Sequence, residues 1–254
     1  LSLESSFFYF RFFIFSLAVW FLINNNDKLL KIFTISLALS FLLALTDGFY
    51  QSFNEENLFG IRGRLDNRLT LVFSDRMIMG GYISRIFPLL IGLIIYNFKL
   101  NKINIFFTLS ILILSDIIIY ISGERTAIVL LFISTIFILL FITKLRIVRL
   151  ITFICSIAII LTITIFSTGV KERSIDYTVK QMNIGQEGRV VVFSNEHEKL
   201  FLSAINIFKD NPLFGVGPKL FRHHCETIKV DNKELGCSTH PHNIYLQLLA
   251  EIGI

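Results

Sequence analysis

The sequence has little charge for its length. Charged residues make up 17% of its 254 positions and hydrophobic residues 54%, with a mean hydropathy of +0.67. These values exclude an ordinary soluble globular domain, in which apolar residues are fewer. The net charge of +5 does not indicate a nucleic-acid partner, because the cations follow the distribution expected of membrane topology.

The sequence also lacks the usual spacings of metal ligands. It contains no Asp-x-Asp pair and no His-Glu-x-x-His motif, so no metal or other cofactor is expected. It begins with Leu1 rather than Met and stops soon after an apolar segment starts at Asn243. Since a spanning helix needs about 20 residues, we expect an internal fragment of a larger helical bundle.

Six apolar runs have spanning or nearly spanning length. They cover residues 7–23, 29–45, 78–98, 103–121, 126–143 and 147–167. The expected fold is an all-α integral membrane protein, a multi-span helical bundle. We expect residues 1–167 to form the six helices, 168–242 a long loop, and 243–254 the start of a truncated further helix.

Lys and Arg in the short connections indicate how the chain is oriented. They concentrate in alternate connections at 24–31, 98–104 and 143–149, which places those three in the cytoplasm. The opposite side then holds residues 46–77, a break at 122–125 and the long loop. All candidate functional segments therefore face the same non-cytoplasmic side, which in a bacterium is the periplasm.

We expect the long loop to contain secondary structure of its own, because loops of this length without any are uncommon. Its apolar residues recur at helical spacing after Ser194, which we expect to be the N-cap. This pattern predicts an amphipathic helix over residues 195–209 that lies on the membrane surface or on the helix bundle. The apolar positions are Leu200, Phe201, Ala204, Ile205 and Phe208.

Two polar motifs, in this order, resemble those of the O-antigen ligase and polymerase (Wzy-C) family. The first is SGERTA at 122–127, and the second is KDNPLFGVGP at 209–218, followed by an arginine and by THPHNIYLQLLAEIGI at 239–254. The resemblance covers roughly residues 68–254, whereas residues 1–67 match in hydropathy only. It implies a GT-C-like membrane glycosyltransferase that takes a glycan from undecaprenyl diphosphate.

The same resemblance implies that His242, the histidine before the asparagine, is the general base. An imidazole suits this role at neutral pH. His240 is expected to orient the acceptor, Asn243 to cap the next helix or orient the imidazole, and Glu124 to orient Arg125 or act as a base. The remaining histidines are expected on the loop surface: His197, His223 and His224.

The diphosphate leaving group requires fixed positive charge rather than a proton. Arginine forks match phosphate oxygens and are the expected partners. The alternative for each arginine is an interfacial residue that snorkels towards water. The candidates are Arg125, Arg189, Arg222 and Arg68, with Arg76 as a further one.

An ion pair and a cysteine pair are expected to stabilise the fold rather than take part in the reaction. Arg85 and Asp116 lie inside the third and fourth runs, and we expect them to pair across adjacent helices because an unpaired charge in a membrane is costly. Lining the substrate cavity is the alternative. Cys225 and Cys237 predict a disulfide in an oxidising compartment. The alternative is zinc on these cysteines with His240 and His242.

The expected function is that of an inverting, metal-independent O-antigen ligase in the bacterial inner membrane, which transfers glycan to the lipid A core. An O-antigen polymerase, acting on a lipid-linked repeat unit, or a protein O-oligosaccharyltransferase fits the same residues. A lipid-linked glycan transporter fits less well, because the charges cluster on one face. The expected partners are the undecaprenyl-diphosphate-linked donor, the glycan acceptor and membrane lipid, with no nucleic acid.

Overall fold

The computed structural model describes residues 2–54, 56–62, 69–70, 78–99, 101–182, 193, 195–226, 229–230 and 233–254. A helix occupies each apolar run identified in the sequence. The six long helices are α1 (Ser2–Asn25), α2 (Asp27–Asn54), α3 (Met79–Asn97), α4 (Lys102–Ile121), α5 (Arg125–Phe141) and α6 (Arg146–Phe166).

The remaining elements are shorter. A 3-10 turn at Thr143–Leu145 lies between α5 and α6, and a π turn at Glu172–Asp176 lies between α7 and α8. Two two-residue strands, β1 (Lys229–Val230) and β2 (Lys233–Glu234), pair antiparallel. The short helices are α7 (Thr168–Lys171), α8 (Tyr177–Gln181), α9 (Asn195–Asp210), α10 (Phe221–His224) and α11 (Ile244–Ile252).

Among the described residues, five helices are long and apolar enough to cross a membrane: α1 to α4, and α6 with the turn before it. The remaining long helix, α5, is equally apolar but has 17 residues. Isoleucine, leucine and phenylalanine dominate these helices, and in lipid a helix satisfies every backbone hydrogen bond within the segment. The prediction of an all-α, multi-span membrane protein is confirmed.

The chain forms two compact units. One comprises Asn25–Lys180, and α2 to α6 bury its apolar core. The other comprises Leu1–Asn24 and Gln181–Ile254. In the second unit the amphipathic α9, predicted from the loop sequence, packs its apolar face on α10 and α11. The predicted division at residues 167 and 242 stays a prediction. The core of the second unit contains Leu200, Ala204, Ile207, Phe221, Cys225 and Ala250.

The predicted ion pair between Arg85 and Asp116 is wrong. The Asp116 carboxylate instead accepts hydrogen bonds from both terminal nitrogens of Arg149, at 2.8 and 2.9 Å. Thr135 Oγ1 accepts from the same guanidinium, which lies 5.5 Å from the Phe87 ring centroid and 5.2 Å from that of Phe153.

Burial explains why this pair forms with a bidentate geometry. The side chain of Arg149 is 0% exposed and that of Asp116 is 1% exposed, so each charge needs the other and additional hydrogen bonds. The sequence assigned Arg149 to a short cytoplasmic connection. The structure places it inside α6, one turn beyond the start at Arg146.

Candidate active site

A helix break at residues 122–125 carries the first polar motif. α4 ends at Ile121, Gly123 turns the chain with a φ of 70°, and α5 begins at Arg125. Glycine suits this turn because it adopts positive φ without steric cost. Arg125 therefore occupies the first position of α5, where its side chain is half-buried.

Glu124 attaches this break to the start of α3. Its Oε1 accepts a hydrogen bond from the Gly80 N–H at 2.7 Å, and its Oε2 accepts one from the Gly81 N–H at 2.9 Å. The N–H groups in the first turn of a helix have no partner within the helix, and the helix dipole favours a negative charge there. Glu124 thereby fixes the position of the residue after it, Arg125.

Two adjacent glycines at the start of α3 permit this close contact. A Cβ atom on Gly80 would lie 2.3 Å from Ser122 Oγ, and one on Gly81 would lie 2.8 Å from Arg85 Nη1. Both distances are shorter than any normal contact, so a side chain at Gly80 would displace the break. The sequence alone did not reveal that Gly80 has to be glycine.

Arg85 lies on the second turn of α3 and is exposed. Its Nη1 donates a hydrogen bond to the Gly81 carbonyl oxygen at 2.8 Å. The side chain therefore folds back towards the start of the helix, which is the direction in which helical side chains tilt. This places the guanidinium beside the carboxylate of Glu124.

In the second unit, the glycine-rich turn packs against the end of α11. Gly215 and Gly217 have φ values of 59° and 103°. The Val216 N–H donates to the Ala250 carbonyl at 3.0 Å, and the Gly217 N–H to the Glu251 carbonyl at 2.8 Å. A Cβ atom on Gly215 would lie 2.3 Å from the backbone carbon of Glu251, so this position requires glycine.

Glu251 connects this turn to α10. Its side chain is 5% exposed, and Oε1 accepts from the Phe221 N–H at 3.3 Å. The other oxygen, Oε2, accepts from Gln247 Nε2 at 3.2 Å. The carboxylate therefore stabilises the packing of α10 on α11.

His242 lies directly before α11, with a φ of 56°. Positive φ is uncommon for residues other than glycine and occurs where the surrounding structure imposes it, often at functional sites. Asn243 caps α11, since its Oδ1 accepts from the Tyr245 N–H at 3.0 Å and the Leu246 N–H at 3.2 Å. The cap and the left-handed residue together determine where the His242 ring lies.

Three imidazole rings meet at this point. The centroid of the His242 ring is 4.2 Å from that of His240 and 5.3 Å from that of His197. His197 is exposed, as the sequence indicated, but its contact with the His242 ring was not predicted. Helical spacing from His197 to Leu200 and Ala204 would have indicated the same face of α9, the face that packs on α11.

The pKa of His242 is lowered from its ordinary value. Partial burial of the ring is the main cause, and repulsion from the charged forms of His240 and His197 adds to it. A lower pKa favours the neutral imidazole at neutral pH. That form can accept a proton.

A disulfide joins Cys225 and Cys237, whose Cα atoms are 5.2 Å apart. The sulfurs are bonded to each other, so they do not serve as thiolate ligands, and the zinc set considered from the sequence does not form. In the part of the chain that the structure describes, no three His, Cys, Asp or Glu side chains are arranged to hold a metal ion.

The candidate arginines are distributed over both units. Arg125 belongs to the first unit, and Arg222, exposed on α10, belongs to the unit that contains His242. His223 and His224 are exposed on α10 as expected. Three further candidates lie outside the described residues: Arg68, Arg76 and Arg189.

Comparison with known proteins identifies the family. Neither the curated proteins nor the solved structures give a significant match to the chain. The Wzy_C family model, described as O-antigen ligase, matches residues 107–254, which is more than half of the chain. This range includes the helix break, the glycine-rich turn and the three histidines. The chain therefore belongs to the Wzy_C family of O-antigen ligase and polymerase-type membrane glycosyltransferases.

Proposed function

We propose that the chain transfers a glycan from undecaprenyl diphosphate to a hydroxyl group of a glycan acceptor, with His242 as the general base. The observation that most supports this is the cluster of His197, His240 and His242 at the start of α11. A neutral imidazole can take the proton that the hydroxyl loses during attack. The proposed site faces the periplasm, where the donor arrives already activated on its lipid.

In the proposed reaction, the acceptor oxygen attacks the anomeric carbon while His242 takes the hydroxyl proton. The new glycosidic C–O bond forms as the bond from the anomeric carbon to the diphosphate oxygen breaks. The diphosphate keeps the electron pair, and the imidazolium releases its proton to solvent afterwards. A single displacement of this kind inverts the anomeric configuration.

The arginines stabilise the charge that develops on the departing diphosphate. Guanidinium groups match phosphate oxygens with paired hydrogen bonds and remain charged at all relevant pH values. Arg125 takes this role with its position fixed by Glu124, and Arg222 takes it from α10. Arg189 and Arg68 complete the proposed set from segments outside the described residues.

The decisive variant is His242→Ala, assayed with membranes, a polyprenyl-diphosphate-linked oligosaccharide and lipid A core. Loss of a positioned general base lowers the rate by about 10²–10⁴-fold, and the amount of protein in the membrane should stay unchanged. His223→Ala is the matched control, since His223 is an exposed histidine outside the cluster. Full activity of His242→Ala would remove His242 from the role.

The proposed acceptor is the lipid A core, as for a ligase. The lipopolysaccharide of a deletion strain tests this choice. Complete loss of attached O-chain, with lipid-linked polymer accumulating, supports the ligase. Core carrying one repeat unit instead identifies a polymerase.

A further inference from the structure

Arg85 is a charged residue within a membrane-spanning helix and has no part in the reaction proposed above. It lies six residues after Met79, which begins α3, and this corresponds to about 9 Å along the helix axis. A charge at such a depth is costly and often marks the path of a charged substrate. Within the described ranges, the ion pairs are Arg62–Glu56, Arg149–Asp116 and Lys199–Glu196, and Arg85 belongs to none of them.

The Arg85 guanidinium lies beside the break that precedes α5. A Cβ atom on Gly81 would be 2.8 Å from Arg85 Nη1 and 3.2 Å from Glu124 Oε2. The two charged groups are therefore within about 6 Å of each other, the sum of these distances. Arg125 is the next residue along the chain, at the start of α5, which packs against α3.

Glu124 leaves much of the hydrogen-bonding capacity of Arg85 unused. Both carboxylate oxygens of Glu124 accept hydrogen bonds from N–H groups at the start of α3. A guanidinium has five N–H donors, and the hydrogen bond to the Gly81 carbonyl uses Nη1. Because Arg85 is exposed, its other donors are accessible to a ligand with several acceptor oxygens.

We infer that Arg85 binds a phosphate group of the polyprenyl diphosphate, acting together with Arg125 where α3 and α5 begin. This inference rests on the function proposed above. A diphosphate has enough oxygens for two guanidinium forks. The carboxylate of Glu124 reduces the repulsion between the two arginines when the site is empty, so both can remain at one helix junction.

The test measures binding of polyprenyl diphosphate, without a glycan, to the purified full chain in phosphatidylcholine nanodiscs. Arg85→Gln removes the charge but keeps an amide donor, and Arg85→Lys keeps the charge without the fork. Arg62→Ala is the matched control, an exposed arginine of the same unit whose guanidinium lies 3.9 Å from Glu56. We expect about tenfold weaker binding for Arg85→Gln, a smaller loss for Arg85→Lys and none for Arg62→Ala.

The outcomes separate this inference from the proposed function. If the unsubstituted chain does not bind the probe, the proposed donor is wrong. If it binds and Arg85→Gln binds equally well, only the role of Arg85 is wrong. If Arg85→Gln fails to fold, Arg85→Lys decides: affinity equal to that of the unsubstituted chain then overturns the role.

A phospholipid headgroup is the other source of phosphate at this depth. Native mass spectrometry of phosphatidylglycerol retained by the purified chain distinguishes the two. Reduced retention in Arg85→Gln, with unchanged binding of polyprenyl diphosphate, would overturn the inference and assign Arg85 to a lipid headgroup. Unchanged retention with weaker probe binding supports it.

Discussion

The imidazole rings of His197 and His242 lie 5.3 Å apart with their planes at 68°. The two residues are far apart in the sequence, one in the first turn of α9 and the other directly before α11. Their contact depends on the apolar core that Leu200, Ala204 and Ala250 form between these helices. The packing of an amphipathic helix thus determines the environment of the proposed base.

We predict that His197→Gln moves the acidic limb of the pH–rate profile to higher pH. The proposed base must be neutral, and the pKa of His242 is held below its ordinary value by partial burial and by its two neighbouring histidines. Replacing His197 removes a neighbouring positive charge, so the pKa of His242 rises and more of it is protonated in acid.

The measurement is the initial transfer rate at saturating donor from about pH 5 to about pH 8, which spans the range in which histidine titrates. His223→Gln, which changes an exposed histidine of α10, should leave the profile unchanged. An unshifted acidic limb in His197→Gln would show that the ring contact has no effect on the base.

We predict that Arg149→Met destabilises the protein by about 3–5 kcal/mol, because it leaves the buried carboxylate of Asp116 without its counterion. The double variant Arg149→Met with Asp116→Leu should recover most of this loss, since it removes both charges. Thermal unfolding in detergent measures the effect. Rescue of an Asp116 variant by a change at Arg85 instead would contradict the observed pairing.

We predict opposite effects for two alanine substitutions on α3. Gly80→Ala places a methyl group against Ser122, which should cost about 1–3 kcal/mol and reduce transfer by displacing Arg125. Gly92→Ala, with no atom within 4 Å of the new Cβ, should stabilise the helix by about 0.5–1 kcal/mol. Equal unfolding midpoints and rates for the two variants would contradict the close packing at the break.

We predict that removal of the Cys225–Cys237 disulfide lowers stability by about 2–3 kcal/mol, because a loop of this length gains entropy when it opens. The variant Cys225→Ser with Cys237→Ser should unfold at a lower temperature than the unsubstituted chain. A reductant should lower the midpoint of the unsubstituted chain and leave that of the double variant unchanged. A reductant effect of equal size in both would assign the effect to another cause.

The partner of Asp116 could not be predicted correctly from the sequence. Hydropathy places Asp116 in an apolar run and indicates that it needs a positive partner. The sequence places Arg85 inside the run at 78–98 and Arg149 in the connection at 143–149, so it favours Arg85 as the partner. The choice depends on how each helix is rotated and staggered, which side-chain packing between the helices determines.

The amino-acid sequence alone is enough to predict a bundle of membrane helices, because an apolar run in lipid can satisfy its backbone hydrogen bonds only as a helix. It also gives the order of the polar motifs and the place of His242 at the start of α11. Three contacts became known from the folded structure: Arg149 is the partner of Asp116, Glu124 binds the start of α3, and His197 lies against His242. These contacts join residues that are distant along the chain, so they depend on the packing of one helix against another.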